Sequence, residues 1–220
     1  MLIINVPLLS LDRRSVGFKL RSFLALNKGR AMINMQSIIV PQISTYPAPE
    51  ARARKVLAWL TAQQIIAEQL STCGSHGNRM AYAITEGIRQ VMDIPQGVVA
   101  DECLPFRRSV HGLEVVTQRC IFTPEQGFDK RARCPECRKQ VGEVLLESLE
   151  SWMPGETENF ICPHCDHEDD INAFPFSQPC GFSNLGFIFN NCDGQYFKSS
   201  FLEEFAERLG RPISLVLVRQ

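Results

Sequence analysis

Four of the nine cysteines in this 220-residue chain stand in two short repeats, Cys134-Pro-Glu-Cys137 and Cys162-Pro-His-Cys165. A Cys-x-x-Cys turn aims two sulfurs at one point. Two such turns supply the four-thiolate tetrahedron that Zn2+ takes at about 2.3 Å. The competing chemistry, a redox dithiol, normally uses a single Cys-x-x-Cys beside a strand–helix–strand pattern. Two copies, each with proline directly after the first cysteine, favour a metal. His164 lies within the second repeat and His167 just behind it, but four cysteines already complete a shell. With every position taken by protein sulfur, none is left for water or substrate. The expected ion is therefore one structural Zn2+ per chain on Cys134, Cys137, Cys162 and Cys165, not a Lewis-acid catalyst.

The remaining cysteines, at 73, 103, 120, 180 and 192, follow no regular spacing. An odd total without a secretory signal argues against a disulfide scaffold and for a reducing, cytoplasmic setting. Cys73 and His76 share a glycine-punctuated loop over residues 71–78, where a Cys–His nucleophile is conceivable, yet no third group is marked to orient it. Arg131, Arg133, Arg138 and Lys139 surround the first repeat and resemble a phosphate cluster. Residues 129–170 nevertheless hold five bases against eleven acids, and Glu168-Asp169-Asp170 follow the second repeat directly. Zinc on four thiolates is itself a dianion, so nearby bases offset local charge. Binding to a nucleic-acid backbone needs the opposite sign and is disfavoured here.

The elements that must carry these residues follow from periodicity. Between the repeats, Val141, Val144, Leu145 and Leu149 recur at i, i+3, i+4 and i+8, which predicts a short amphipathic helix. Residues 38–43 read as a strand, followed by a helix with Pro49 in its first turn and an inward stripe of Ala53, Val56, Leu57 and Leu60, with Trp59 as a packing anchor. Residues 80–84 and 113–122 read as further strands, the latter apolar on both faces as a central strand would be. Nine of the fourteen phenylalanines fall between 160 and 205. Leu185, Phe187 and Phe189 alternate as a strand. Phe197, Phe201, Phe205 and Leu209 line a helix closed by Gly210 and Pro212, and Ile213, Leu215 and Leu217 open a last strand. A parallel crossover is expected if both strands join one sheet.

The fold class expected is α+β: a mixed sheet with a C-terminal β-α-β unit and an inserted four-cysteine, zinc-ribbon-like module. The organisation read from it is a basic leader (1–34), an N-terminal α+β part (35–127), the module (128–172), and a C-terminal part (173–220) that packs with the N-terminal one. The leader holds six bases and one acid. Its apolar stretch precedes the charges, the reverse of a secretory signal, and a transit peptide fits only loosely. Lys28-Gly29 requires purine-rich codons resembling a ribosome-binding site, so translation is expected to start at Met32 or Met35. Hydrophobic residues make up 45% and charged residues 21%, with a net charge of −1, which excludes general disorder. No run of 18 apolar residues is present, so no membrane partner is expected. No lysine follows a glycine, so a P-loop is absent, as are Gly-x-Ser-x-Gly, His-Glu-x-x-His and the Rossmann glycines.

Cys-Pro-Glu-Cys, Cys-Pro-His-Cys-x-His-Glu-Asp-Asp-Ile-Asn and Gly-Phe-Ser-Asn-Leu-Gly-Phe-Ile-Phe-Asn together resemble a group of proteobacterial zinc-ribbon proteins, over residue 39 to the end. The resemblance implies a metal site at the same four cysteines. Some relatives bear the label of a sugar ABC transporter ATPase, which the missing Gly-Lys contradicts. The functional reading is a cytoplasmic zinc-binding protein that serves as a macromolecular interaction or regulatory protein, with another protein as the expected partner. The alternative is an accessory nucleic-acid-binding zinc ribbon. An enzyme comes third, resting on Cys73, His76 and the carboxylates after Cys165.

Overall fold

The computed structural model describes residues 35–74, 80–124 and 127–219. The basic leader and His76 lie outside them. The chain begins with β1 (Met35–Pro41), α1 (Pro49–Ala62), β2 (Ile66–Ser71), β3 (Ala81–Ile84), the single turn α2 (Ala100–Cys103), β4 (Gly112–Val116) and β5 (Cys120–Phe122). It continues through α3 (Gly142–Trp152), β6 (Asn159–Ile161), β7 (Glu168–Asp170), β8 (Gly181–Ser183), β9 (Gly186–Asn190), α4 (Ser199–Leu209) and β10 (Ile213–Arg219). Helices and strands mix as an α+β fold.

Six strands form one sheet in the order β10-β1-β9-β4-β3-β2. The expected mixed sheet is corrected here, because every hydrogen-bonded neighbour pair is antiparallel. The reason is an insertion that no local pattern reveals. β9, α4 and β10 do make a β-α-β unit, and its two strands run the same way. β1, however, lies between them and runs antiparallel to both. The parallel strands therefore never bond to each other.

Alternation along β1 gives the sheet two apolar faces. Ile39 joins the larger core under α1 and α4, while Ile38 and Val40 face the opposite way with Phe122, Val216 and Val218. On the helical side, Phe189, Phe197, Phe201 and Phe205 follow one another in edge-to-face contact, and Trp59 stacks on Phe201 at 5.7 Å. Edge-to-face geometry sets the positive ring rim against a negative face. Pro49 starts α1 where a missing N–H costs nothing, and Gly210 ends α4 with φ 65°, a left-handed turn that suits glycine. On the opposite face, β5 pairs with β8 as a two-stranded ribbon. It lies close because Gly181 has no side chain: a Cβ there would come within 2.7 Å of Val40 Cγ1.

Three local expectations need correction. The stretch 113–122 is two strands, since the chain turns at residues 117–119 and β4 and β5 enter different sheets. β2 has no counterpart among the expected elements. In the helix between the cysteine pairs, the buried stripe is Val141, Leu145, Leu149 and Trp152, and Val144 is exposed.

Candidate metal centre

The two cysteine repeats fold identically. In the first, Arg138 N–H donates to the Cys134 carbonyl at 3.0 Å and Cys134 N–H to the Lys139 carbonyl at 3.0 Å. In the second, Asp166 N–H donates to the Cys162 carbonyl at 3.0 Å and Cys162 N–H to the His167 carbonyl at 2.9 Å. The residue behind each repeat turns left-handed, with φ 60° at Arg138 and 57° at Asp166. Each loop thereby points both sulfurs inward. The first repeat continues into α3, whose Gly142 lies so close to the Lys130 carbonyl that a Cβ would stand 1.7 Å from it. The second is the turn between β6 and β7.

The four sulfurs of Cys134, Cys137, Cys162 and Cys165 all lie within 4.8 Å of one another and can hold a metal ion. Across the repeats, the Cys134–Cys165 and Cys137–Cys162 sulfurs are 3.7 and 3.8 Å apart. Sulfurs on a tetrahedron with 2.3 Å metal–sulfur bonds stand about 3.8 Å apart. The donor set therefore fits a four-coordinate, sulfur-loving divalent ion. Such an ion takes thiolates, and the set is uneven in this respect. Burial works against the Cys134 thiolate, but the backbone N–H groups of Cys137 and Glu136 and the neighbouring sulfurs of Cys162 and Cys165 outweigh it, bringing the thiol down to about 7. At Cys165 the His167 N–H favours the thiolate, while burial and the other three sulfurs push the thiol up to about 12. Sulfurs this close resist ionising together until a cation offsets them.

Among the described residues the group of possible ligands holds these four sulfurs and no histidine or carboxylate, and Cys165 is exposed. His164 is exposed, and His167 rests on the Phe174 ring at 5.8 Å with its Nε2 3.9 Å from Asp169. Arg131 is turned to Asp129, its Nε donating at 2.6 Å, and Arg133, Arg138 and Lys139 are exposed. Beneath the sulfurs lies a small core of Val141, Leu145, Leu149, Trp152, Phe160 and Phe174, which also takes in Phe182 of β8.

Two latches missed at the sequence level join this region to the sheet. Asp170 accepts from Ser44 N–H at 2.8 Å with one oxygen and from Asn172 N–H at 2.8 Å with the other. Asn172 in turn brackets Phe182, accepting from its N–H at 2.9 Å and donating to its carbonyl at 2.8 Å. Arg119, between β4 and β5, lies over the Trp152 ring at 5.2 Å, donates to the Trp152 carbonyl and to the Thr157 carbonyl at 2.9 Å, and reaches Thr45 Oγ1 at 3.2 Å. Asp170 belongs to the acidic run already noted behind the second repeat and Asn172 follows it by two residues, and that run is the signal that could have marked them. Arg119 had none.

The other candidate positions are tied up in packing. Cys73 is buried, its sulfur accepting from Ser71 Oγ at 3.0 Å and lying 3.5 Å from the Ala81 carbonyl. Glu168 and Asp169 are exposed, and Glu168 accepts from Asn159. Asn190 at the end of β9, and Asn191 and Asp193 in the turn after it, are buried and spend their polar atoms on Gly112, Glu114, Val110 and Gln195. Burial pushes the thiols of Cys120 to about 11 and Cys180 to about 12, and that of Cys192 higher still. No helix among the described residues is long and apolar enough to cross a membrane. No protein family, curated protein or solved structure matches the chain.

Proposed function

We propose that the chain is a zinc-stabilised binding protein of the cytoplasm, kin to the proteobacterial zinc-ribbon proteins. In this reading one Zn2+ on Cys134, Cys137, Cys162 and Cys165 holds a ribbon-like module, and the protein works by engaging another protein. The observation that carries it is the 3.7 and 3.8 Å spacing of sulfurs contributed by opposite repeats, the spacing a tetrahedral ion imposes. Zinc's part is structural: it replaces disulfides and bulk as the tie across a region too small to hold itself.

Two features support a protein partner over nucleic acid. The segment 129–170 is acidic, which repels a phosphate backbone. It also exposes large apolar side chains, Val144, Met153 and Ile161. Single exposed apolar residues are ordinary, but three in one small region fit a contact surface. The test is affinity capture of the full chain under mild salt, with mass spectrometry and nuclease controls. A stoichiometric protein lost on replacing Val144 and Ile161 by serine supports the reading. Retained nucleic acid that elutes with salt supports the zinc-ribbon alternative instead.

A further inference from the structure

The two edges of the six-stranded sheet are built differently. β2 breaks register at a bulge between Ile66 and Leu70 and exposes Glu68, Gln69 and Ser71. Bulges and edge charges discourage strand addition. β10 has neither. Its seven residues keep unbroken register with β1, from Ile213 opposite Pro41 to Arg219 opposite Met35, with no proline and no charge before Arg219.

Parity shows which backbone groups this leaves outward. Gln42 N–H donates to the Pro212 carbonyl at 2.8 Å, and Asn191 N–H donates to the Met35 carbonyl at 2.7 Å. Along β1, then, even-numbered residues exchange hydrogen bonds with β10 and odd-numbered ones with β9. Ser214, Val216 and Val218 are the β10 residues engaged with β1. The N–H and C=O groups of Ile213, Leu215 and Leu217 point away from the sheet, and no hydrogen bond among the described residues takes them up.

We propose that β10 pairs with β10 of a second copy, antiparallel across a two-fold axis, joining two sheets into one. The strand is self-complementary in the way such an interface requires. Outward-facing residues must meet outward-facing residues. That condition is satisfied with Leu215 opposite Leu217 of the second copy, Ile213 opposite Arg219, and the axis passing Val216. Neighbours across the seam are then Leu on Leu, Val on Val and Ser214 on Val218, with no like charges opposed. A groove of about 550 Å³, bounded by Gln42, Phe182, Cys180 and Ser214, flanks the first half of the strand. Val218 of the second copy, opposite Ser214 and on the same face, borders that groove. This interface does not depend on the zinc reading.

Sedimentation velocity of the full chain, paired with amide hydrogen exchange, tests it. A dimer is expected at tens of micromolar, with the Leu215 and Leu217 amides protected in the dimer and exchanging quickly on dilution. Leu215→Pro removes an N–H that β1 does not use and should weaken dimerisation at least tenfold. Leu217→Lys should do the same without touching the backbone, and Glu68→Lys on the opposite edge should change nothing. A monomer at every concentration would overturn the proposal. So would amides that stay protected in the monomer, since another segment would then cover the edge, or a dimer indifferent to both β10 variants.

Discussion

The sheet under α1 and α4 and the region around the four sulfurs are held together by different physics. In the first, strands of up to seven residues and two helices of eleven and fourteen share a continuous aromatic core. In the second, two strands of three residues and one helix of eleven surround a far smaller core. An isolated eleven-residue helix is marginal in water, and a two-stranded hairpin is no better. The sheet can stand on burial alone, but the cysteine region needs a tie. The same length of chain is worth different amounts of structure depending on how much apolar surface it can hide.

Cys162→Ser should break the comparison most sharply. A structural zinc contributes about 10–16 kcal/mol of apparent binding free energy, and an oxygen in place of one thiolate forfeits much of it. Hydrogen exchange should show residues 130–174 losing protection while β1, β9 and β10 keep theirs. A chelator should give the same map. Equal loss in both regions would mean that they are one cooperative unit.

Phe205→Ala probes the other side. Phe205 is fully buried between Trp59, Phe187 and Phe201. Its removal should cost about 3–5 kcal/mol by thermal or denaturant melting and leave bound metal unchanged per folded chain. Loss of metal at a temperature where the chain is still folded would contradict the division.

Arg119→Ala removes the clamp between the two regions. Loss of hydrogen bonds from a charged donor should cost about 1.5–3 kcal/mol. Exchange should quicken at residues 43–46 and 152–158 before it does at the cysteines. Unchanged protection of the Gly155 and Glu156 amides, which donate to the Trp152 and Ser151 carbonyls, would show that the clamp carries nothing.

The smallest effects lie with the unpaired thiols and the surface. Cys192→Ser puts a hydroxyl into an apolar site at about 1–3 kcal/mol and should leave metal content untouched. Val144→Ser, on an exposed position, should stay within about 0.5 kcal/mol. In the folded protein at neutral pH, Cys120, Cys180 and Cys192 should resist alkylation, because burial raises all three thiols and leaves little thiolate. Rapid labelling of Cys192 would mean that the sheet core opens readily.

What is legible in the sequence is what local spacing spells out. Two cysteines three residues apart put two sulfurs on one turn, and Phe201, Phe205 and Leu209 mark the buried face of α4, while Phe197, expected on the same helix, lies just before it begins. What is not legible depends on partners distant in the chain. Nothing near Met35 says that β1 will slot between β9 and β10. Apolar residues on both sides of residues 117–119 hide a turn into a second sheet. The stripe of α3 departs from the local periodicity by one position because Trp152, at its far end, outweighs Val144 in deciding which face turns inward. Ile66 and Leu70 alone do not announce β2, whose middle is polar because it lies at an edge.

X-ray absorption at the zinc edge, on the full chain purified without added chelator, addresses the central claim most directly. One zinc per chain with four sulfurs at about 2.3 Å and no lighter ligand is the result predicted. A shell containing oxygen or nitrogen, or a folded chain with no metal and all four cysteines open to alkylation, would contradict it.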